Sequence, residues 1–227
     1  MLRYLLSIIF LFLSLSAHAE AEPYNRVDFQ VEAARAVGND MLTTNMSLEI
    51  QDKQPAHVAQ HINTALNEAL QKAAAFGTVK TTSGTQNTYP VYGKNNQIDA
   101  WRGHGEIHIE SRDFKAAGEL IMQLQNTMQL SDVQFGIAPD TRANIESTLI
   151  TEAIKAFQNR AETIRSAMGA KSYKTVHFSI NTGGVSPHYP LAMMRGAAIA
   201  DAAIPAPEFA SGETRLTVQI NGTIELQ

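Results

Sequence analysis

VQFGIAPDTRANIESTLITEAIKAFQNRAETIRSAMG, residues 133–169, reads as a short strand, a Pro-Asp stop and one long amphipathic helix. Pro139 has no N–H to give to a ladder and helps end the strand. Asp140 is then placed to accept orphan backbone N–H groups as an N-cap. At 100° per residue, Ile145, Leu149, Ile150, Ala153, Ala156, Phe157, Ala161, Ile164 and Met168 fall on one side. Polar residues from Asn144 to Arg165 fall on the other, and Gly169 supplies a C′ residue able to turn left-handed. Each large apolar side chain is worth about 1.5–3 kcal/mol if fully buried, before entropy is charged. Such a helix needs a sheet or partner helices, so the remaining elements are expected to be organised around it. Glu146 and Arg160 interrupt the stripe almost four turns apart, too far to pair with each other. Glu146 is expected at the exposed helix start, and Arg160 to snorkel or pair with a neighbouring element.

Upstream, Val27, Phe29, Val31 and Ala33 alternate with Arg26, Asp28, Gln30 and Glu32, the pattern of a half-buried strand. Gly38-Asn39-Asp40 reads as a turn. Leu42, Thr44, Met46, Leu48 and Ile50 alternate in a second strand, and the two are expected to form a hairpin. Pro55 suits a first helical turn, and Val58, Ile62, Ala65, Leu66, Ala69, Leu70, Ala73 and Phe76 make a stripe that Gly77 ends. A polar, Thr-rich strand runs from Thr78 to near Tyr92, with a turn at Gly93-Lys94-Asn95-Asn96. The next strand, Ile98 to Ser111, puts Trp101, Ile107 and Ile109 on one face and Arg102, His104, Glu106, His108 and Glu110 on the other. Asp113 caps a helix whose inward residues are Phe114, Ala117, Leu120, Ile121, Leu124 and Met128. Beyond Gly169, Val176, Phe178 and Ile180 mark a strand, and Leu216, Val218 and Ile220 mark the last one.

The order is ββαββαβαββ, with a ββα unit twice over at the level of pattern. Clean alternation gives each sheet one packed and one wet face. The fold class is therefore α+β: a largely antiparallel sheet or sheets with helices packed on one face. The stretch 181–212, with Gly183, Gly184, Pro187, Pro190, Pro205 and Pro207, has no strong element, although Leu191 to Ile204 is Ala-rich enough for a short helix. A loop of that length is expected to act as an oligomer contact, a lid or a mobile surface segment.

The first residues, MLRYLLSIIFLFLSLSAHAE, carry a positive Arg3, an apolar run from Leu5 to Leu15, and a small-x-small site at Ala17-His18-Ala19. The run is too short to span a bilayer comfortably, and the pattern is that of a secretory signal peptide cleaved after Ala19. The chain thus divides into a signal peptide (1–19) and one domain (20–227), and export from the cytoplasm is expected. Losing Arg3 takes the 18 basic residues to 17 against 22 acidic ones, a balance of −5. This mild acidity without a basic block speaks against nucleic-acid binding. No later run is long and apolar enough for a membrane helix. The absence of cysteine excludes thiol peroxidase and thiol oxidoreductase chemistry and Cys-ligated metals.

Candidate chemistry is sparse. His57 and His61 stand one helical turn apart, a chelating spacing, but lack the Glu of H-E-x-x-H, and they read as solvated histidines. His104, Glu106 and His108 share a strand face with same-face neighbours about 6.6 Å apart. An ion there would need further ligands from a neighbouring strand, and an exposed charged face is the plainer reading. Met193 and Met194 have the softness copper prefers but read as packing groups. Gly103-His104-Gly105 suggests a bulge or a close backbone approach. No Ser-His-Asp order, G-x-S-x-G, P-loop or dinucleotide glycine pattern is present, and a cell-wall hydrolase would lack its acid–base pair. No catalytic, cofactor-binding or metal residue is therefore assigned, and no cofactor is expected.

Taken in order, the hairpin before PAHVAQHINTALNEAL, the segment IDAWRGHGEIHIESRDF, the stretch VQFGIAPDTRANIESTLITEAIKAFQNRAETI and the closing PEFASGETRLTVQINGTIEL resemble the SIMPL-domain family of secreted bacterial proteins. The resemblance covers nearly all of the chain after the signal. It implies a periplasmic α+β protein without established enzymatic activity or agreed catalytic residues. Relatives are linked to oxidative-stress defence and to bacterial surface immunogens, and some assemble into large ring-like or channel-like oligomers. The expected function is that of a non-enzymatic periplasmic homo-oligomer in envelope or stress physiology, whose other envelope partners the sequence does not name. The alternative is a periplasmic small-ligand or metal-binding module, with His104, His108 or the 181–212 loop near its site.

Overall fold

The computed structural model describes residues 25–188 and 211–227, with backbone only for 184–188. Its elements run β1 (Arg26–Gly38), β2 (Met41–Asp52), α1 (Pro55–Ala73), β3 (Val79–Tyr92), β4 (Ile98–Ser111), α2 (Phe114–Leu124), β5 (Gln129–Gly136), α3 (Pro139–Ala167), β6 (Tyr173–His188) and β7 (Glu213–Leu226). The order is the expected ββαββαβαββ, with a 3-10 turn at Lys94–Asn96 between β3 and β4. All pairings are antiparallel, in two sheets ordered β1-β7-β6 and β3-β4-β2-β5.

Each sheet has its own core, so the chain is not organised around α3 alone. In the four-stranded sheet, Leu42, Met46 and Leu48 of β2 and Ile107 and Ile109 of β4 pack under α1 and α2, which contribute Val58, Ile62, Leu66, Leu120 and Leu124. In the three-stranded sheet, Leu149, Ala153, Phe157 and Ala161 of α3 lie on Leu216, Val218, Ile220 and Ile224 of β7. Phe29 of β1 stacks on Phe157 with ring centroids 4.6 Å apart.

The expected β1–β2 hairpin does not form. β1 pairs with β7, from Arg26 opposite Glu225 to Gly38 opposite Glu213, whereas β2 lies between β4 and β5. Alternation fixes which face of a strand is buried, not which strand lies beside it. The turn divides the chain between the sheets. Asn39 donates its amide to Gly212 O (3.1 Å) and its side chain to Ser211 O (2.6 Å), at the start of β7. Asp40 donates its amide to Gly136 O at the end of β5 (3.0 Å). The ββα repeat is thus a repeat of order only, since β3 and β4 do pair with each other.

Helix ends show where local chemistry decides and where it does not. Asp113 caps α2 as expected, accepting from the Ala116 amide at 3.0 Å. Gly169 adopts φ +69 and ends α3 in a Schellman motif, with Gly169 N bonded to Ser166 O and Ala170 N to Arg165 O. Asp140 does not cap α3. Ala138 is the N-cap residue and Pro139 opens the helix, while Asp140 pairs outward with Arg112. The capping carboxylate comes from Asp40, which accepts from Ala138 N and Thr141 Oγ1, each at 2.6 Å. α1 stops at Ala73 rather than at Gly77, and single turns close over Lys72 and Ala73 before Gly77 is reached. Met168, placed on the apolar stripe, is 68% exposed because the helix has already ended. Glu146 takes an i,i+4 bond from Arg142 at 3.3 Å, and Arg160 is exposed with no ion-pair partner among the described residues.

The 181–212 stretch is more ordered than expected at its start: β6 continues through Gly183, Gly184 and Pro187 to His188, with a register shift between Asn181 and Gly184. The expected helix Leu191–Ile204, with Met193 and Met194, lies outside the described residues.

Candidate functional site

The outer face of the four-stranded sheet gathers the histidines singled out in the sequence. On β4, Arg102, His104, Glu106, His108 and Glu110 point away from α1 and α2, each half-buried. They are held apart in pairs rather than brought to one point. His104 Nε2 lies 3.7 Å from Glu106 Oε2. His108 places Nδ1 2.8 Å from Asn45 Oδ1 and Nε2 3.1 Å from Glu110 Oε1, so both ring nitrogens are occupied. Glu110 also takes Lys80 Nζ at 3.0 Å, which with His108 holds its carboxyl below the usual range. Arg102 pairs with Glu49 at 2.9 Å. Among the described residues, no three His, Asp or Glu side chains converge to hold a metal ion.

The inner face of the same strand explains Gly103 and Gly105. A Cβ on Gly103 would overlap Val58 Cγ1 and Ile62 Cδ1, and one on Gly105 would sit 2.7 Å from Ile62 Cγ2. These positions let α1 approach the backbone of β4, which is the close-approach reading. The irregularity lies opposite instead, in β3, where the register shifts between Ser83 and Gln86. His57 and His61 are exposed on α1, and His57 Nδ1 is 3.4 Å from Asp52.

Two further surfaces escaped sequence reasoning. Both lie on the three-stranded sheet and depend on β1 and β6 flanking β7. On the packed side, α3 lies over β1 and β7 and leaves the edge strand β6 partly bare. Val176, Phe178 and Ile180 are 42%, 46% and 37% exposed. A cavity of about 160 Å³ opens there between Ile154, Phe157, Gln158, Thr175, Phe178 and Ile220, and Phe178 leans on Phe157 with centroids 6.0 Å apart. On the open side lies a groove of about 450 Å³ bordered by Asp28 and Gln30 of β1, Asn221 and Thr223 of β7, and His177 and Ser179 of β6. The sequence did show Asp28 and Gln30 as outward residues, but a hairpin with β2 would have given them different neighbours.

No helix among the described residues is long and apolar enough to cross a membrane. A comparison with curated proteins returns no match. Among solved structures, one titled "The crystal structure of AtUAH in complex with glyoxylate" aligns at 13% identity and a TM-score of 0.30. That alignment covers 53% of this chain and 34% of the other, so the chain spans about a third of that protein, and a likeness this low carries no argument. The family comparison is decisive. The SIMPL family model, described as a protein of unknown function (DUF541), matches residues 27–224, from β1 to β7. That match takes in the described helices and all but the outermost residues of both sheets, and the chain belongs to the SIMPL family.

Proposed function

We propose that this is a non-enzymatic protein of the periplasm, exported by a signal peptide cleaved after Ala19, that works as a homo-oligomer in envelope or oxidative-stress physiology. It takes no nucleic acid and needs no cofactor in this reading. The observation that carries the assembly is the bare row on β6. An edge strand offers unpaired backbone groups, and here its packed-side residues Phe178 and Ile180 are also left half-covered. A second copy placed against β6 would cover both. The leader pattern supports the location, and the paired, dispersed polar groups of the four-stranded sheet support a role other than catalysis.

Two measurements test the reading. Absolute mass of the mature, untagged protein, from light scattering coupled to gel filtration, is expected to show one species of several subunits. Phe178→Asp combined with Ile180→Asp is expected to reduce it to the monomer. A wild-type monomer at micromolar concentration would overturn the assembly. Fractionation is expected to release the protein with the shock fluid, with Glu20 as its first residue, and recovery solely from the cytosol would overturn the location.

A further inference from the structure

The groove on the open side of the three-stranded sheet carries hydrogen-bonding capacity that the fold does not use. Its side chains stand in two rows across the strands. Asp28, Thr223 and His177 are register neighbours in one, and Gln30, Asn221 and Ser179 in the other. Within these rows the Thr223 hydroxyl donates to Asp28. Gln30, Asn221, Ser179 and His177 make no side-chain hydrogen bond or ion pair among the described residues. The other open sheet face is the contrast, since there each histidine is matched to a carboxylate.

Charge narrows the ligand. Asp28 is the one carboxylate bordering the groove, and no lysine or arginine borders it. The nearest arginines on these strands are taken by Arg26–Glu225 and Arg215–Glu32 pairs. Arg26 and Lys174 stand one row out on either side of Glu225, so an anion would find no cation within the groove itself. Two carboxamides, two hydroxyls, an imidazole and a carboxylate instead offer donors and acceptors side by side. Sugar hydroxyls both donate and accept, and adjacent ones are spaced to bridge such groups. The volume, about 450 Å³, lies in the range of small-molecule sites, roughly 300–1,000 Å³.

We propose that this groove binds a neutral polyhydroxylated ligand of mono- or disaccharide size. Asp28 and Gln30 receive ligand hydroxyls on one wall, Ser179 and His177 contact it on the other, and Asn221 forms the floor. His177 and Ser179 point to the opposite side of β6 from Phe178 and Ile180, so the site stands independently of subunit contacts through that row.

The test is amide NMR of the mature protein with D-glucose, N-acetyl-D-glucosamine and sucrose, each at about 10 mM, tenfold above a millimolar Kd. At least one sugar is expected to give saturable shifts at residues 28–30, 177–179 and 221–223. Asn221→Ala and Ser179→Ala are each expected to weaken binding about fivefold, the worth of one neutral hydrogen bond. Ser179 is exposed on an edge strand, so its variant decides the matter if Asn221→Ala disturbs the fold. The proposal is overturned if none of the sugars shifts these amides, if Ser179→Ala leaves the titrated Kd unchanged, or if sodium sulfate alone reproduces the shifts.

Discussion

Asp40 does the work that the sequence pattern assigns to Asp140. Its carboxylate reaches the start of α3 from 98 residues away and holds both the Ala138 amide and the Thr141 hydroxyl. Asp40→Ala is expected to cost about 1–2 kcal/mol in urea unfolding, the usual worth of a helix N-cap. Asp140→Ala is expected to cost less, since its pairing with Arg112 is exposed. Burial alone would push the Asp40 carboxyl up. The Thr141 hydroxyl, the Ala138 amide and the Arg112 charge together outweigh it and leave the group below its ordinary value. A depressed carboxylate contributes stability that is full above its unfolded pKa, about 3.9, and is lost as pH falls through the folded value. Unfolding followed below about pH 4 should therefore show a smaller acid loss in Asp40→Asn than in the wild type. Two positions give sharper tests. Gly105→Val drives methyl groups against Ile62, Leu48 and Leu66, and a loss of about 1–3 kcal/mol is expected. Thr81 buries a hydroxyl with no partner among the described residues. Thr81→Val should raise the unfolding midpoint, by about 1 kcal/mol in stability, because the stranded group is removed.

At the scale of elements, Phe157 is the pivot of the smaller core. It is stacked by Phe29, touched by Phe178, and faces Gly222, where a Cβ would strike its ring. Phe157→Ala is expected to cost about 3–5 kcal/mol by thermal or urea unfolding. The sequence shows this helix almost completely. Its apolar stripe and its Gly169 stop are local signals, and local signals are what a single chain carries legibly; only its start, read with Asp140 as the cap, lies at Pro139 instead. The strands are legible as strands, and where the alternation assigns a face, in β1, β2, β4 and β7, that face is the packed one. Their neighbours are not. Val27 to Ala33 alternate as well in a hairpin as beside β7, and nothing between Gly38 and Asp40 records that the chain is leaving one sheet for another. Residues whose role depends on that pairing, Asp28 and His177 above all, could not be placed together. The β4 histidines depend on one strand's own periodicity, and they lie on the face the sequence assigns.

The whole molecule is two sheet-and-helix cores joined through the Asn39–Asp40 turn and the start of α3. Lowered carboxylates occur in both halves, with Asp52, Glu110 and Asp113 around the four-stranded sheet and Glu162 on α3. By the same linkage their contributions fall together in acid. The placement of β7 has another consequence. It is the central strand of the smaller sheet, yet it follows every other strand in the chain, and Arg26 meets Glu225 across 199 residues. On a ribosome making about 5–20 residues per second, β1 waits about 10–40 s for its neighbour. The larger sheet, whose strands are all complete by Gly136, can close well before that. Wherever the chain emerges N-terminus first, one half of the protein can thus be folded while the other is still an open chain.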